Sequence, residues 1–166
     1  ASLLVGAAPA MSVADLCAGA GGKSLALAAA MQNKGRIQAF DIHARRLSEC
    51  RKRAERAGVT NLETECLAES GAKRSEALAA HKEAFDRVVV DAPCSGTGTW
   101  RRSPDQRWRQ DETSLKALNS LQLSLLSEAA ALVKPGGVLI YMTCSVLPAE
   151  NEDIISDFLS SAAWKP

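Results

Sequence analysis

The chain has 166 residues, 46% of them apolar and 23% charged, with 20 basic and 19 acidic side chains for a net charge of +1. That is the size of one globular domain with a full core, and the composition excludes a disordered chain. The near-neutral balance argues against a protein that holds nucleic acid by phosphate contacts alone. Such a role here needs a local basic patch or another domain.

Strand and helix signals alternate along the chain. Ser12-Val13-Ala14-Asp15-Leu16-Cys17 predicts a first strand, followed by a glycine-rich turn and an Ala/Leu helix over about 22–32, broken by Gly35. Arg36-Ile37-Gln38-Ala39-Phe40-Asp41 predicts a second strand ending in an acid. A charged helix over about 43–57 stops at Gly58, and Leu62 to Cys66 predicts a third strand. An Ala/Lys/Glu-rich helix is expected near 70–83, and the β-branched run 85–90 is the fourth strand. A polar loop through Trp100 to Arg109 precedes a helix over about 112–133, ended by Pro135-Gly136-Gly137. The fifth strand is 138–143, and Pro148 opens a last helix to about Ser160. This alternation predicts a doubly wound α/β domain over residues 1–166: a mostly parallel sheet, strand order 3-2-1-4-5, joined by right-handed crossovers.

The five cysteines (17, 50, 66, 94 and 144) form no CxxC pair, and His43 and His81 lie far apart in sequence. No metal site is expected, and the pattern suits the reducing cytoplasm better than a disulfide framework. No apolar run reaches membrane-spanning length and no signal peptide is visible. A chain that starts at Ala1 is expected to be part of a longer protein.

Two cysteines stand out. The run Asp91-Ala92-Pro93-Cys94-Ser95-Gly96-Thr97-Gly98 follows the fourth strand, and Thr143-Cys144-Ser145 ends the fifth. In an open α/β sheet, ligands bind beyond the carboxyl ends of the strands. A carboxylate and two thiols delivered there point to covalent chemistry on an electrophilic ring. The turn Asp15-Leu16-Cys17-Ala18-Gly19-Ala20-Gly21-Gly22-Lys23 lets the backbone approach a ligand and offers free N–H groups at a helix start. Asp41 follows at the distance expected of an acid that accepts from a ribose. The turn lacks GxGxxG and GxxxxGK[ST] spacing, so a nucleoside-type cofactor such as S-adenosylmethionine is favoured over a dinucleotide.

At this point the chain resembles the RNA cytosine-C5 methyltransferases, relatives of the bacterial 16S rRNA enzyme and of the eukaryotic nucleolar and NSUN proteins. The resemblance is carried by DLCAGAGGKS, the FD at 40–41, VDAPCSGTG, RRSPDQRW, KPGG and YMTCSVLPAENE, in that order. It implies a Rossmann-like methyltransferase domain in which Cys17, Ala18, Gly19, Ala20, Gly21, Gly22 and Lys23 contact S-adenosylmethionine and Asp41 holds its ribose. It further implies that Asp91 lies between cofactor and base, Lys23 lies near both, Cys144 is the nucleophile and Cys94 assists release. The implied substrate is a cytosine of rRNA or tRNA.

Three departures from the family pattern stand out. Gly19 and Ala20 replace the usual Ala-Pro of the turn. Glu69 is a weak match for the acid expected after strand three to hold adenine. The amino-terminal RNA-binding region and a strand pair after Trp164 are missing, so the chain reads as a catalytic core.

Bland readings stand beside these. Cys50 and Cys66 read as inert small hydrophobes, and Cys17 reads equally as that or as a cofactor contact through its backbone. Asp15 reads as a hydrogen-bond partner of the glycine turn, and Glu150 and Glu152 as caps of the last helix. The segment 100–109, with four arginines and two tryptophans, is the one basic stretch; it reads as an RNA contact or as a solvated loop anchored by its tryptophans. Two rival functions remain: a methyltransferase for another substrate, which would not need Cys144, and a silent RNA- or protein-binding module on the same fold.

Overall fold

A computed structural model describes residues 1–109, 111–161 and 164, the side chains of 106, 107 and 109 excepted. Its elements are β1 (Ser12–Asp15), α1 (Gly22–Ala30), β2 (Arg36–Asp41), α2 (Ala44–Arg56), β3 (Leu62–Cys66), α3 (Ala72–Ala79), β4 (Phe85–Asp91), α4 (Glu112–Ala130), β5 (Val133–Met142) and α5 (Glu152–Ser161). Short 3-10 turns cover Ser2–Val5, Thr97–Thr99, Pro104–Arg109 and Pro148–Glu150. The sheet runs β3-β2-β1-β4-β5, the predicted order, with β1 parallel to β2 and β4 and β2 parallel to β3. The chain falls into two contact units: Ala1–Asp91 with Glu128–Ile140, and Ala92–Ser127 with Tyr141–Pro166.

The first unit holds most of the sheet. Val13, Ala14, Ile37, Ala39, Phe40, Val88, Val89 and Val90 are buried, which is why β1, β2 and β4 read as near-continuous apolar runs. Leu27 and Met31 of α1 and Leu47 of α2 add buried aliphatic surface. The Phe40 ring meets Phe85 edge-on at a centroid distance of 6.5 Å and His81 at 5.1 Å. The second histidine is thus a packed ring whose Nε2 lies 2.9 Å from a Glu65 oxygen. At the amino ends of the strands, Asp86 accepts from the main-chain N–H of Ser12 at 2.7 Å and from Lys134 at 3.1 Å. The bond from Ser12 leads in holding its carboxyl below the usual range.

One boundary differs from the sequence reading. The helix expected to run to about 133 ends at Ala130, and Pro135-Gly136-Gly137 lies inside β5 rather than acting as its stop. The Leu132 carbonyl accepts from the N–H groups of Ala84 and Phe85, and the Ala131 carbonyl from Glu83. Those bonds draw residues 131–132 out of the helix to the start of β4, and Leu132 and Val133 are buried. Helical periodicity and strand burial demand apolar residues at the same two positions, so pattern alone could not separate them.

In the second unit Leu126, Ile154 and Phe158 are buried, and so are two polar side chains, Gln122 and Glu150.

Candidate active site

The first unit presents the glycine turn. β1 ends at Asp15 and α1 begins at Gly22, so six residues turn the chain between them. Gly19 and Gly21 both have left-handed φ, +55° and +79°. A Cβ on Gly21 would stand 2.3 Å from Cys50 Sγ, so α2 packs against a position that only glycine fits. Arg53 of α2 donates to the Ala20 carbonyl at 2.8 Å. Asp41 ties the turn down from the other side: its carboxylate accepts from the N–H of Gly19 and of His43, each at 2.8 Å.

Asp15 is fully buried and accepts from Ser24 of α1 at 2.7 Å. Its partner is thus the helix start rather than the glycine turn. Burial raises its carboxyl to about 6, and the charges of Asp91 and Asp41 add to the rise. Its second oxygen is buried and has no hydrogen-bond partner among the described residues. Lys23 forms an ion pair with Asp91. Burial, then the charges of Asp15 and Asp41, push the Cys17 thiol up to about 12, which disfavours its thiolate. Cys50 is buried as expected, whereas Cys66 is exposed.

Glu69 is exposed, and the neighbouring Ala68 carbonyl accepts from Arg74 at 3.2 Å. Arg74 is itself held by Glu128 through bonds of 2.7 to 3.0 Å.

The second unit presents the thiols. Cys94 Sγ and Cys144 Sγ are 3.2 Å apart, and the Cys144 N–H points at Cys94 Sγ at 3.4 Å. The Cys144 carbonyl accepts from Gly98 at 2.9 Å, and a Cβ on Gly98 would stand 2.7 Å from that oxygen. Thr97 accepts from the Val146 N–H at 2.9 Å and meets the Ser145 hydroxyl at 3.0 Å. Asn151 accepts from Thr143 and donates to the carbonyls of Ser145 and Leu147. Both thiol loops are therefore fixed by hydrogen bonds on each side of the cysteine.

Glu150 corrects the sequence reading. It is not a helix cap; it is fully buried and accepts from the main-chain N–H of Ser95 at 2.8 Å, from the Ser95 hydroxyl, and from Gln122 at 3.1 Å. Burial opposes its ionisation, but hydrogen bonds from Ser145, Ser95 and Gln122 outweigh that and hold its carboxyl below the usual range. Gln122 also donates to the Pro93 carbonyl at 2.9 Å, and Tyr141 donates to the Glu150 carbonyl at 2.9 Å. Glu152, by contrast, does stand in the first turn of α5. Ser95 and Gln122 went unread as site residues because their role depends on a partner remote in sequence.

In the basic segment Arg101 and Arg102 are exposed, and Trp108 is 83% exposed, so it is not anchored in a core. The arginine side chains at 107 and 109 lie outside the described residues. Among the described residues no cluster of three His, Cys, Asp or Glu could hold a metal, and no helix is long and apolar enough to cross a membrane.

The sheet order, with a glycine turn after β1 and an acid closing β2, is that of a doubly wound α/β domain. Residues 4–165 match the family model described as 16S rRNA methyltransferase RsmB/F, and the chain belongs to that family. It is 39% identical over 148 residues to a probable ribosomal RNA small subunit methyltransferase B of Bacillus subtilis, covering 89% of this chain and 32% of that protein. The corresponding protein of Synechocystis is 40% identical over 153 residues, with 91% and 33% covered. The chain thus spans about a third of the length of these curated relatives. Among solved structures, a methyltransferase homologue from Pyrococcus horikoshii superposes with a TM-score of 0.80 at 34% identity, covering 96% of this chain and 48% of that one. NSun6 from the same organism, solved with SFG, gives a TM-score of 0.82 at 24% identity, covering 96% and 39%, and attests the fold.

Proposed function

We propose that this chain is the catalytic core of an S-adenosylmethionine-dependent methyltransferase that modifies C5 of cytosine in RNA through a cysteine adduct. The observation that carries it is the Cys94–Cys144 pair, two thiols 3.2 Å apart on loops held by a dedicated hydrogen-bond network. A fold that only bound a cofactor would have no use for them.

The first unit fits the cofactor. The charges of Asp91 and Asp41 act on the buried Asp15, and Lys23 pairs with Asp91, so the turn brings three carboxylates to one lysine and favours a further cation such as a sulfonium. The unpartnered Asp15 oxygen offers an acceptor, and the Gly19 position has open space where a side chain would stand. In this reading residues 17–23 line the cofactor and Asp41 keeps a lone pair on each oxygen for the ribose hydroxyls. S-adenosylmethionine supplies an electrophilic methyl group.

The chain's own residues do the rest. C5 of cytosine is a poor nucleophile until a thiolate adds to C6. Cys144 Sγ forms a bond to C6, the C5–C6 double bond breaks, and its electron pair becomes available at C5. Asp91 accepts from the 4-amino group, and the proton that it shares with Lys23 is donated to N3 as negative charge develops there. After C5 gains its methyl group a base removes the C5 proton. The double bond re-forms, and the C6–S bond breaks to return Cys144. Cys94 assists that release.

The test is mass spectrometry of nucleosides from RNA incubated with the protein and methyl-labelled cofactor. Label in 5-methylcytidine supports the reading. Label in another nucleoside, or cofactor binding without transfer, overturns it.

A further inference from the structure

The segment 100–109 is not the only basic stretch: α2 carries a second concentration of positive charge. Six of the thirteen residues of α2 are basic and two are acidic, a net of +4 in a chain whose total is +1. The rest of the molecule is therefore net acidic. At 100° per residue, Arg45, Arg46, Lys52, Arg53 and Arg56 fall within an arc of about 120°, opposite the buried Leu47, Cys50 and Ala54. All five are exposed and form a stripe about 16 Å long. Arg53 is tied to the Ala20 carbonyl and Lys52 to Glu49 at 3.1 Å. Among the described residues Arg45, Arg46 and Arg56 form no ion pair.

The placement of Arg45 and Arg46 is informative. They occupy the first turn of α2, which holds no acid, where the positive end of the helix dipole repels a cation. Two unpaired arginines there lower the stability of the helix. A face kept basic against its own dipole, on a molecule otherwise net acidic, is complementary to a polyanion.

We infer that the exposed face of α2 is a second RNA-binding surface, which holds phosphates of the substrate's backbone. This rests on the proposed RNA methyltransferase function and adds to it a contact outside the thiol and cofactor loops. The contact is to phosphate and carries no base specificity.

The test replaces Arg45 and Arg46 by Glu. Both substitutions suit the first turn of a helix, so the variant folds at least as well, and a thermal melt checks this. Lys73→Glu/Lys82→Glu on and after α3 makes the same change in net charge and controls for it. Binding to a transcript of small-subunit ribosomal RNA is measured against salt, alongside methyl incorporation by the wild type. The inference expects roughly tenfold weaker binding for Arg45→Glu/Arg46→Glu only, and a salt slope shallower by about 1.4–1.8. Equal effects of the two pairs, or no effect of either, overturn the inference and leave the face to another acidic partner. Wild type that methylates RNA while the variant binds unchanged sinks the inference alone. Wild type that binds through α2 but methylates no cytosine sinks the proposed function alone. Wild type that binds no RNA sinks both.

Discussion

Glu150 accepts both the main-chain N–H and the hydroxyl of Ser95, a residue 55 positions earlier in the chain. The two cysteine loops thereby share one buried carboxylate: Ser95 follows Cys94, and Glu150 closes the turn that leads away from Cys144. Glu150→Gln keeps the shape but turns an amide donor toward donors that need an acceptor. One buried group loses its partner, and the variant should be less stable by about 1–3 kcal/mol. Methyl transfer should fall while cofactor affinity holds. A denaturation midpoint and a turnover rate both equal to wild type would show that the carboxylate is dispensable.

The glycine turn makes a sharper steric prediction. Gly21→Ala meets Cys50 Sγ and must adopt a left-handed φ, whereas Gly19→Ala meets only the φ cost, since nothing stands within 4 Å of its added Cβ. The first should cost roughly 2–4 kcal/mol and the second about 1 kcal/mol. Cys50→Ala in the Gly21→Ala background should recover part of the loss. Denaturant unfolding of wild type, Gly21→Ala, Cys50→Ala and the double variant measures the coupling; additive effects would mean that Cys50 is not the obstacle.

Asp15 fixes a pH dependence. Its carboxyl lies near 6 in the folded chain against 3.8 when free, so the folded state binds the proton more tightly. Its contribution to stability is fully present below pH 4 and is lost as the pH rises through 6. Between pH 4 and pH 7 the stability difference between wild type and Asp15→Asn should move by about 2 kcal/mol in favour of the Asn variant. A difference flat across that range would mean that burial does not raise this acid.

Cys94 should act after the adduct forms. In Cys94→Ala the Cys144–C6 bond still forms but is not resolved. A protein–RNA species should then accumulate on denaturing gels with unmodified RNA. Normal turnover without such a species would leave Cys94 only a structural part.

The order of elements was legible because β1, β2 and β4 are largely buried runs, each closed by an acid, Asp15, Asp41 and Asp91. The two thiols and the turn were legible because they sit in short contiguous motifs. Glu150 was not, since its role depends on Ser95 and Gln122, both remote in sequence, and a Glu beside a helix start reads as a cap. The basic face of α2 was hidden by the neutral total and appears only when its residues are placed on a helix. The end of α4 was misplaced because Leu132 and Val133 satisfy both periodicities, and hydrogen bonds from Ala84 and Phe85 decide between them.

The central claim is that Cys144 bonds covalently to the base during transfer. RNA carrying 5-fluorocytosine tests it most directly, because fluorine at C5 cannot leave as a proton and the adduct is trapped. With the cofactor present, wild type and Cys94→Ala should each give a denaturation-resistant protein–RNA complex, and Cys144→Ala should give none while binding the cofactor as before. A complex that persists in Cys144→Ala and vanishes in Cys94→Ala would contradict the assignment.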